Sequence, residues 1–194
     1  MPDTSMDQHP AASILARLDR LPATRSIWVL VTLLSIGGFF EFYDLFMTGY
    51  VVPGLVKAGL LSNVAVGIFT GPALFVAATF TGLFIGTSMF GFVADKYGRK
   101  TIFTFSLLFY SAATIIMAFQ NSGFSVCLWR LIAGIGIGVE LVTIDTYIAE
   151  LVPKHVRGRA FAYNQAIQFA VVPVVAFLAY MLVPVAPFGF DGWR

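Results

Sequence analysis

The sequence is poor in charge, in cysteine and in histidine. Only 11% of its 194 residues are charged, whereas 58% are hydrophobic, and a soluble domain carries about 25% charged residues. This shortage excludes a soluble globular chain, so most of the sequence must lie in lipid. Cys127 is the sole cysteine, which rules out an intrachain disulfide, and its apolar surroundings predict a role in core packing. His9 and His155 are far apart in polar segments, so we expect neither a metal site nor a cofactor.

Five long apolar runs occupy most of the chain. They cover approximately residues 27–52, 66–93, 102–119, 126–152 and 161–185, and the first is followed by a short polar link that contains Pro53, Gly54 and Lys57. A helix needs about 20 residues to cross the hydrocarbon core of a bilayer. Backbone polar groups in lipid must also bond within their own segment, which favours helices over strands. The runs therefore predict an all-α integral membrane protein with about five transmembrane helices over residues 27–185.

Basic residues separate the two sides of the membrane. One side is predicted to carry nine of them: Arg17, Arg20, Arg25, Lys96, Arg99, Lys100, Lys154, Arg157 and Arg159. Lys57 and Arg194 fall on the other side. Because basic loops stay in the cytoplasm, we expect a cytoplasmic amino-terminal tail over residues 1–26 and an extracytoplasmic segment over residues 186–194, in a cell (inner or plasma) membrane. An odd number of helices also gives the chain the look of a truncated protein.

Glycine recurs inside the apolar runs. Gly67 and Gly71, and likewise Gly82 and Gly86, have the small-xxx-small spacing that lets helix backbones approach each other. Three further glycines in the fourth run alternate with apolar residues: Gly134, Gly136 and Gly138. A nucleotide-binding loop would need a strand before these glycines, and none is predicted there. Helix packing is the better interpretation.

The loop between the second and third runs reads GFVADKYGRK. On its own it could be a basic turn, in which glycines allow the reversal and Lys and Arg hold the loop in the cytoplasm. Its spacing, however, resembles the signature loop of the major facilitator superfamily, and it stands between the same two helices. The matching residues are Gly91, Asp95, Gly98, Arg99 and Lys100.

A second match follows the sugar-porter and metabolite–proton symporter branches of that family. It comprises Arg130, Gly134, Gly136, Gly138, Tyr147, Glu150, Pro153, Arg157 and Gly158. The resemblance implies the amino-terminal part of a six-helix bundle whose sixth helix is missing. It also implies a cytoplasmic gating network of charges, made by Asp95, Arg99, Glu150, Arg157 and Arg159.

Glu41 and Asp44 are the most informative residues, because a carboxylate inside a membrane span is costly and usually faces the bundle interior. They lie one turn apart on one face of the first helix. From a rise of about 1.5 Å per residue, Asp44 and Arg130 of the fourth helix should lie at similar depth, so an ion pair is expected. A carboxylate there can change protonation when its partner moves, as proton coupling requires, so Glu41, Asp44 and Arg130 are the candidate proton-coupling residues. The resemblance to proton-coupled sugar porters supports the same pair.

Other polar residues inside the spans have two readings each. Glu140 shares a helix face with Thr143 and Tyr147, which suits a polar cavity lining, so Glu140 and Tyr147 are candidate solute-binding residues. Asp145 lies about 140° away around the helix. For Glu140 and Asp145 alike, a static salt bridge is the alternative. On the fifth helix, amides directed into the bundle could bind a polar solute or only join helices. These amides belong to Asn164, Gln165 and Gln168, and the sugar-porter resemblance of RGRAFAYNQ assigns Gln165 to solute binding.

These residues lead to one favoured function and two alternatives. The favoured function is proton symport of a small polar or anionic organic solute, such as a sugar or an organic or aromatic acid. The expected partners are the solute, protons and the bilayer, not nucleic acid, and a complete carrier needs a carboxyl-terminal half. The first alternative is a remnant or split half without transport of its own. A membrane enzyme is the second, and it is disfavoured because its chemistry would need clustered His or Asp residues.

Overall fold

The structure is a computed structural model that describes residues 22, 24–62 and 70–182, with the backbone alone for residues 89–97, 99 and 100. The helices are α1 Arg25–Lys57, α2 Gly71–Tyr97, α3 Arg99–Ala118, α4 Gly123–Leu151, α5 Lys154–Phe169 and α6 Val171–Leu182. Only Ala170 separates α5 from α6, and together they form one span. Five spans in the described part are long and apolar enough to cross a membrane, and these residues contain no strand. The all-α membrane fold class is confirmed.

Two helix boundaries differ from the prediction. The link expected at Pro53 and Gly54 is helical, and α1 continues to Lys57. Proline cannot bond to the carbonyl four residues earlier, but membrane helices tolerate this because local adjustments satisfy the freed group. The fifth span begins at Lys154, directly after Pro153, rather than near Phe161. Its charged first turns looked like a loop, whereas in the structure they are helical.

Glycines bring α2 and α4 into backbone contact. A Cβ atom placed on Gly82 would lie 2.2 Å from the Leu131 carbonyl oxygen, and one on Gly86 would lie 2.1 Å from that of Ile135. From the other side, a Cβ on Gly138 would lie 2.3 Å from the Leu83 carbonyl oxygen. Only glycine fits at such positions. The interpretation of these glycines as packing residues is confirmed, although Gly67 lies outside the described residues.

The helices pack as two groups with a narrow seam between them. α4 packs most extensively against α2 and α3, whereas α1 packs mainly against α5 and α6. The contact between α1 and α4 is smaller and is the largest single part of the seam. An apolar cluster closes each end of the seam. One cluster contains Leu55, Phe75 and Val126, together with the buried thiol Cys127, and the other contains Val31, Ile144 and Val156. Buried polar side chains lie between the two clusters.

Candidate functional site

An ion pair crosses the seam between α1 and α4. Arg130 Nη1 donates a hydrogen bond of 2.9 Å to Asp44 Oδ2. The arginine side chain is only 2% exposed, whereas the aspartate is 16% exposed. The contact expected from helix depth is therefore present. The aspartate is the more accessible partner of the pair.

Arg130 is held by more than its carboxylate partner. Its Nη2 donates to the Asp44 carbonyl oxygen at 3.1 Å and also to the Thr48 hydroxyl, and its Nε donates to the Thr79 hydroxyl at 3.1 Å. The guanidinium also lies 5.8 Å from the centre of the Phe75 ring, within range of a cation–π contact. Three helices, α1, α2 and α4, thus meet at one side chain. A planar fork of donors suits this arrangement, which a lysine could not reproduce.

The sequence analysis did not identify Thr48, Thr79 or Phe75. Each threonine also donates to the carbonyl one turn earlier on its own helix, Thr48 to Asp44 at 3.0 Å and Thr79 to Phe75 at 3.0 Å. The sequence marks the two threonines only as hydroxyl groups inside apolar runs. Threonine commonly satisfies itself in this way within a helix, so the signal does not point to a partner on another helix.

A cavity of about 200 Å³ lies beside the ion pair. Its walls include Tyr43, Asp44 and Thr48 from α1, Thr114 from α3 and Arg130 from α4. The cavity gives a small solute or water direct access to the carboxylate. Apolar side chains from the same helices complete the walls, namely Met47, Val51, Phe75, Met117 and Ala118.

Two further carboxyl groups lie deeper in the seam. Glu41 is 1% exposed and Glu140 is fully buried. None of their four carboxyl oxygens has a hydrogen-bond partner among the described residues. Asp145 is exposed, which agrees with the expected difference between Asp145 and Glu140 in position around α4. Tyr147 is half-buried and packs against the apolar cluster at one end of the seam.

The three amides of α5 do not lie together, which corrects the prediction. Asn164 and Gln168 are buried, and Gln168 Nε2 donates to Asn164 Oδ1 at 3.4 Å. Gln168 also packs on α1, because a Cβ atom on Gly38 would lie 2.2 Å from its amide nitrogen. Gln165 is exposed. Around the helix Asn164 and Gln168 lie about 40° apart, whereas Gln165 lies about 100° from Asn164 and about 60° from Gln168, so it falls at the edge of the buried face.

The predicted gating network is described only in part. The side chains of Asp95, Arg99 and Lys100, together with the surroundings of Gly91, lie outside the described residues. Gly98 precedes α3 with φ of 85°, a left-handed conformation that favours glycine. At the other predicted part of the network, Arg157 donates to the Val152 carbonyl oxygen from Nε at 3.2 Å and from Nη2 at 3.1 Å. Glu150 and Arg159 are exposed.

The chain is similar to known transporters over nearly its whole length. The family model described as "Sugar (and other) transporter" matches residues 30–194. YyaJ of Bacillus subtilis (strain 168) is 30% identical over 96% of this chain and 39% of its own length. The niacin transporter NiaP of Acinetobacter baylyi is 29% identical over 88% of this chain and 38% of its own length. The chain therefore spans about two fifths of these relatives.

A solved structure has the same fold. The inward-open conformation of the xylose transporter XylE from E. coli matches with a TM-score of 0.66 and 23% sequence identity. The match covers 87% of this chain and 43% of XylE. The five described spans thus have the arrangement found in part of a complete transporter.

Proposed function

This chain belongs to the sugar (and other) transporter family of the major facilitator superfamily and corresponds to its amino-terminal part, and from that premise we propose that it serves proton-driven symport. The solute is a small polar or anionic organic molecule, a sugar or an organic acid. The protein lies in the cell membrane with its amino terminus in the cytoplasm, as the distribution of basic residues supports. Transport needs a carboxyl-terminal half, because the relatives extend well beyond the matched region.

The observation that carries the proposal is the unequal burial of the ion pair. Asp44 borders a cavity and is partly exposed, while Arg130 is almost fully buried. A proton can therefore reach the carboxylate, and protonation removes the charge that pairs with the guanidinium. Arg130 keeps its bonds to the two threonines and to the Asp44 carbonyl oxygen. Protonation would thus free the Asp44 side chain without expelling the arginine from the seam.

The solute would bind where the seam opens to the cavity and along the exposed face of α5. Gln165 offers an amide donor and acceptor on that face. Asn164 and Gln168 would act less directly, by holding α5 against α1. Alternating access then follows from movement of this bundle against a second one.

The test is proton-driven uptake by the full-length gene product that contains this chain, reconstituted in proteoliposomes. Radiolabelled niacin and xylose are the first two probes, chosen because the related proteins carry these names. Asp44→Asn should abolish accumulation driven by an imposed pH gradient while sparing counterflow exchange of the same probe. Asp145→Asn, which removes an exposed carboxylate of α4, is the matched control and should accumulate the probe normally.

Normal gradient-driven accumulation by Asp44→Asn would defeat the assignment of Asp44 to proton coupling. Uptake by this chain alone, at the rate of the full-length product, would defeat the requirement for a second half.

A further inference from the structure

Two carboxyl groups in the middle of the seam take no part in the ion pair between Asp44 and Arg130. Glu41 on α1 and Glu140 on α4 are 1% and 0% exposed. Their carboxyl oxygens have no hydrogen-bond partner of good geometry in the described part of the chain, although the backbone of Leu141 lies close enough to act on Glu41. A carboxylate without partners is among the least stable groups that a protein interior or a membrane span can hold. The two side chains therefore require a chemical explanation.

The two carboxyl groups lie near each other. Glu140 Oε1 lies 3.7 Å from the position that a Cβ atom on Gly37 would occupy. Gly37 is one turn before Glu41 on the same face of α1. Of the acidic residues around Glu41, Glu140 has the strongest electrostatic effect, ahead of Asp145 and Asp44. If both groups were ionised, their charges would repel each other in a region from which water is largely excluded.

Among the described residues, no cation on a neighbouring helix is bonded to either glutamate. Arg130 gives its hydrogen bonds to the two threonines and to Asp44, which lies one turn from Glu41, and it lies ten residues, about 15 Å along α4, from Glu140. α3 contributes the phenol of Tyr110, on which Glu140 acts electrostatically. α5 contributes the uncharged amides of Asn164 and Gln168. These surroundings favour a neutral form of the two glutamates.

We propose that Glu41 and Glu140 form a buried proton-binding pair, a second ion site that is separate from Asp44 and Arg130. At least one of the two carboxyl groups is protonated in this structure, and its proton removes the repulsion between the two charges. Water that reaches the seam when this bundle moves against the second one stabilises the ionised form and lets the proton leave. This inference rests on the proposed symport function for its role in transport, and it moves Glu140 from solute binding to proton binding.

The first experiment detects the proton directly and needs no transport. The purified chain is placed in lipid nanodiscs, and infrared spectra in H₂O and D₂O are used to identify the carbonyl band of a protonated carboxylic acid. We expect such a band at neutral pH, and we expect it to disappear at alkaline pH. This measurement uses the unchanged chain, so a failure of variants to fold does not affect it.

Variants then assign the band. The double variant Glu41→Gln/Glu140→Gln should lose it, and Asp145→Asn should keep it, with helix content checked by circular dichroism. Three results would overturn the proposal: no band in the unchanged chain at neutral pH, a band that survives in the double variant, or a band that sodium chloride abolishes at constant pH. The last result would mean that the pair binds a sodium ion.

A second measurement connects the pair to transport. In proteoliposomes that contain the full-length gene product, the number of protons carried per solute is determined from the membrane potential at which net flux stops. Glu140→Gln should lower this number by one, and an unchanged number would contradict the role in transport. If the unchanged protein shows no proton-driven uptake at all, the proposed function fails, while the infrared band still decides whether the pair holds a proton.

Discussion

Replacing Gly86 by alanine should destabilise the bundle even though the change adds only one methyl group. The new Cβ atom would lie 2.1 Å from the Ile135 carbonyl oxygen. Ordinary carbon–oxygen contacts of this kind are about 3.3 Å, so α2 and α4 would have to separate locally by roughly 1 Å. The obstructing atom belongs to the backbone, and no side-chain rotation can relieve the clash. Separation would also weaken the neighbouring contacts made by Gly82 and Gly138, which are equally close.

The expected loss follows from two opposing effects. Overpacking of this kind costs about 1–3 kcal/mol, while replacing a helical glycine by alanine returns about 0.5–1 kcal/mol. The free energy of unfolding should therefore fall by roughly 1 kcal/mol, and by no more than about 2.5 kcal/mol. Gly49→Ala is the matched control, because a Cβ atom there would meet nothing within 4 Å. It should leave the stability unchanged or raise it slightly.

The assay is unfolding of the purified chain from mixed micelles by increasing proportions of sodium dodecyl sulfate, followed by circular dichroism. Gly86→Ala should unfold at a lower proportion of the detergent than the unchanged chain, and Gly49→Ala should not. If both variants unfold at the same proportion of detergent, the backbone contact between α2 and α4 does not contribute measurably to stability.

Two further predictions use the same unfolding assay. Arg130→Lys should lower the free energy of unfolding by about 2–3 kcal/mol, because the guanidinium makes four hydrogen bonds from three nitrogens, whereas an ammonium has three donors on a single atom. Stability equal to that of the unchanged chain would refute the importance of the arginine fork. Gly38→Ala should be milder than Gly86→Ala, because its Cβ atom meets the movable amide of Gln168. Gln168→Ala should then suppress most of the loss, and equal losses with and without Gln168 would contradict the contact.

The ion pair could be predicted from the sequence because helix geometry is regular. Counting residues from the ends of two antiparallel spans gives the depth of each side chain, and Asp44 and Arg130 fall at matching depth. The family was predictable for another reason, since its loop and helix-four motifs are local, and the family match confirms it. Depth and local motifs are properties of single segments, so one sequence suffices for both.

Contacts that depend on helix rotation could not be predicted in this way. The position of Thr79 beside Arg130, and that of Gln168 against Gly38, depend on how neighbouring helices turn towards each other. The exposure of Gln165 depends on helix rotation as well. Gln165 lies only about 60° from Gln168 around the helix, so the sequence alone does not show that one is exposed and the other buried.

The boundary errors have a common cause. Hydropathy marks where a segment leaves lipid, not where its helix stops, so it missed the polar turns of α1 after Val52. It also missed the first turns of α5, which begin at Lys154 and carry several charges. Hydrogen bonds define a helix, and in both places they continue past the apolar run, where hydropathy gives no signal.

The seam between α1 and α4 also constrains the order in which the protein is built. The chain delivers α1 to the membrane first, yet the bond between Asp44 and Arg130 joins residues separated by 86 positions. The largest packing partner of α1, α5, is synthesised later still. In contrast, α2, α3 and α4 are consecutive and can assemble as soon as they emerge. During biosynthesis α1 must therefore wait in the bilayer or the translocation machinery with its two carboxyl groups, Glu41 and Asp44, shielded by protons, water or another protein.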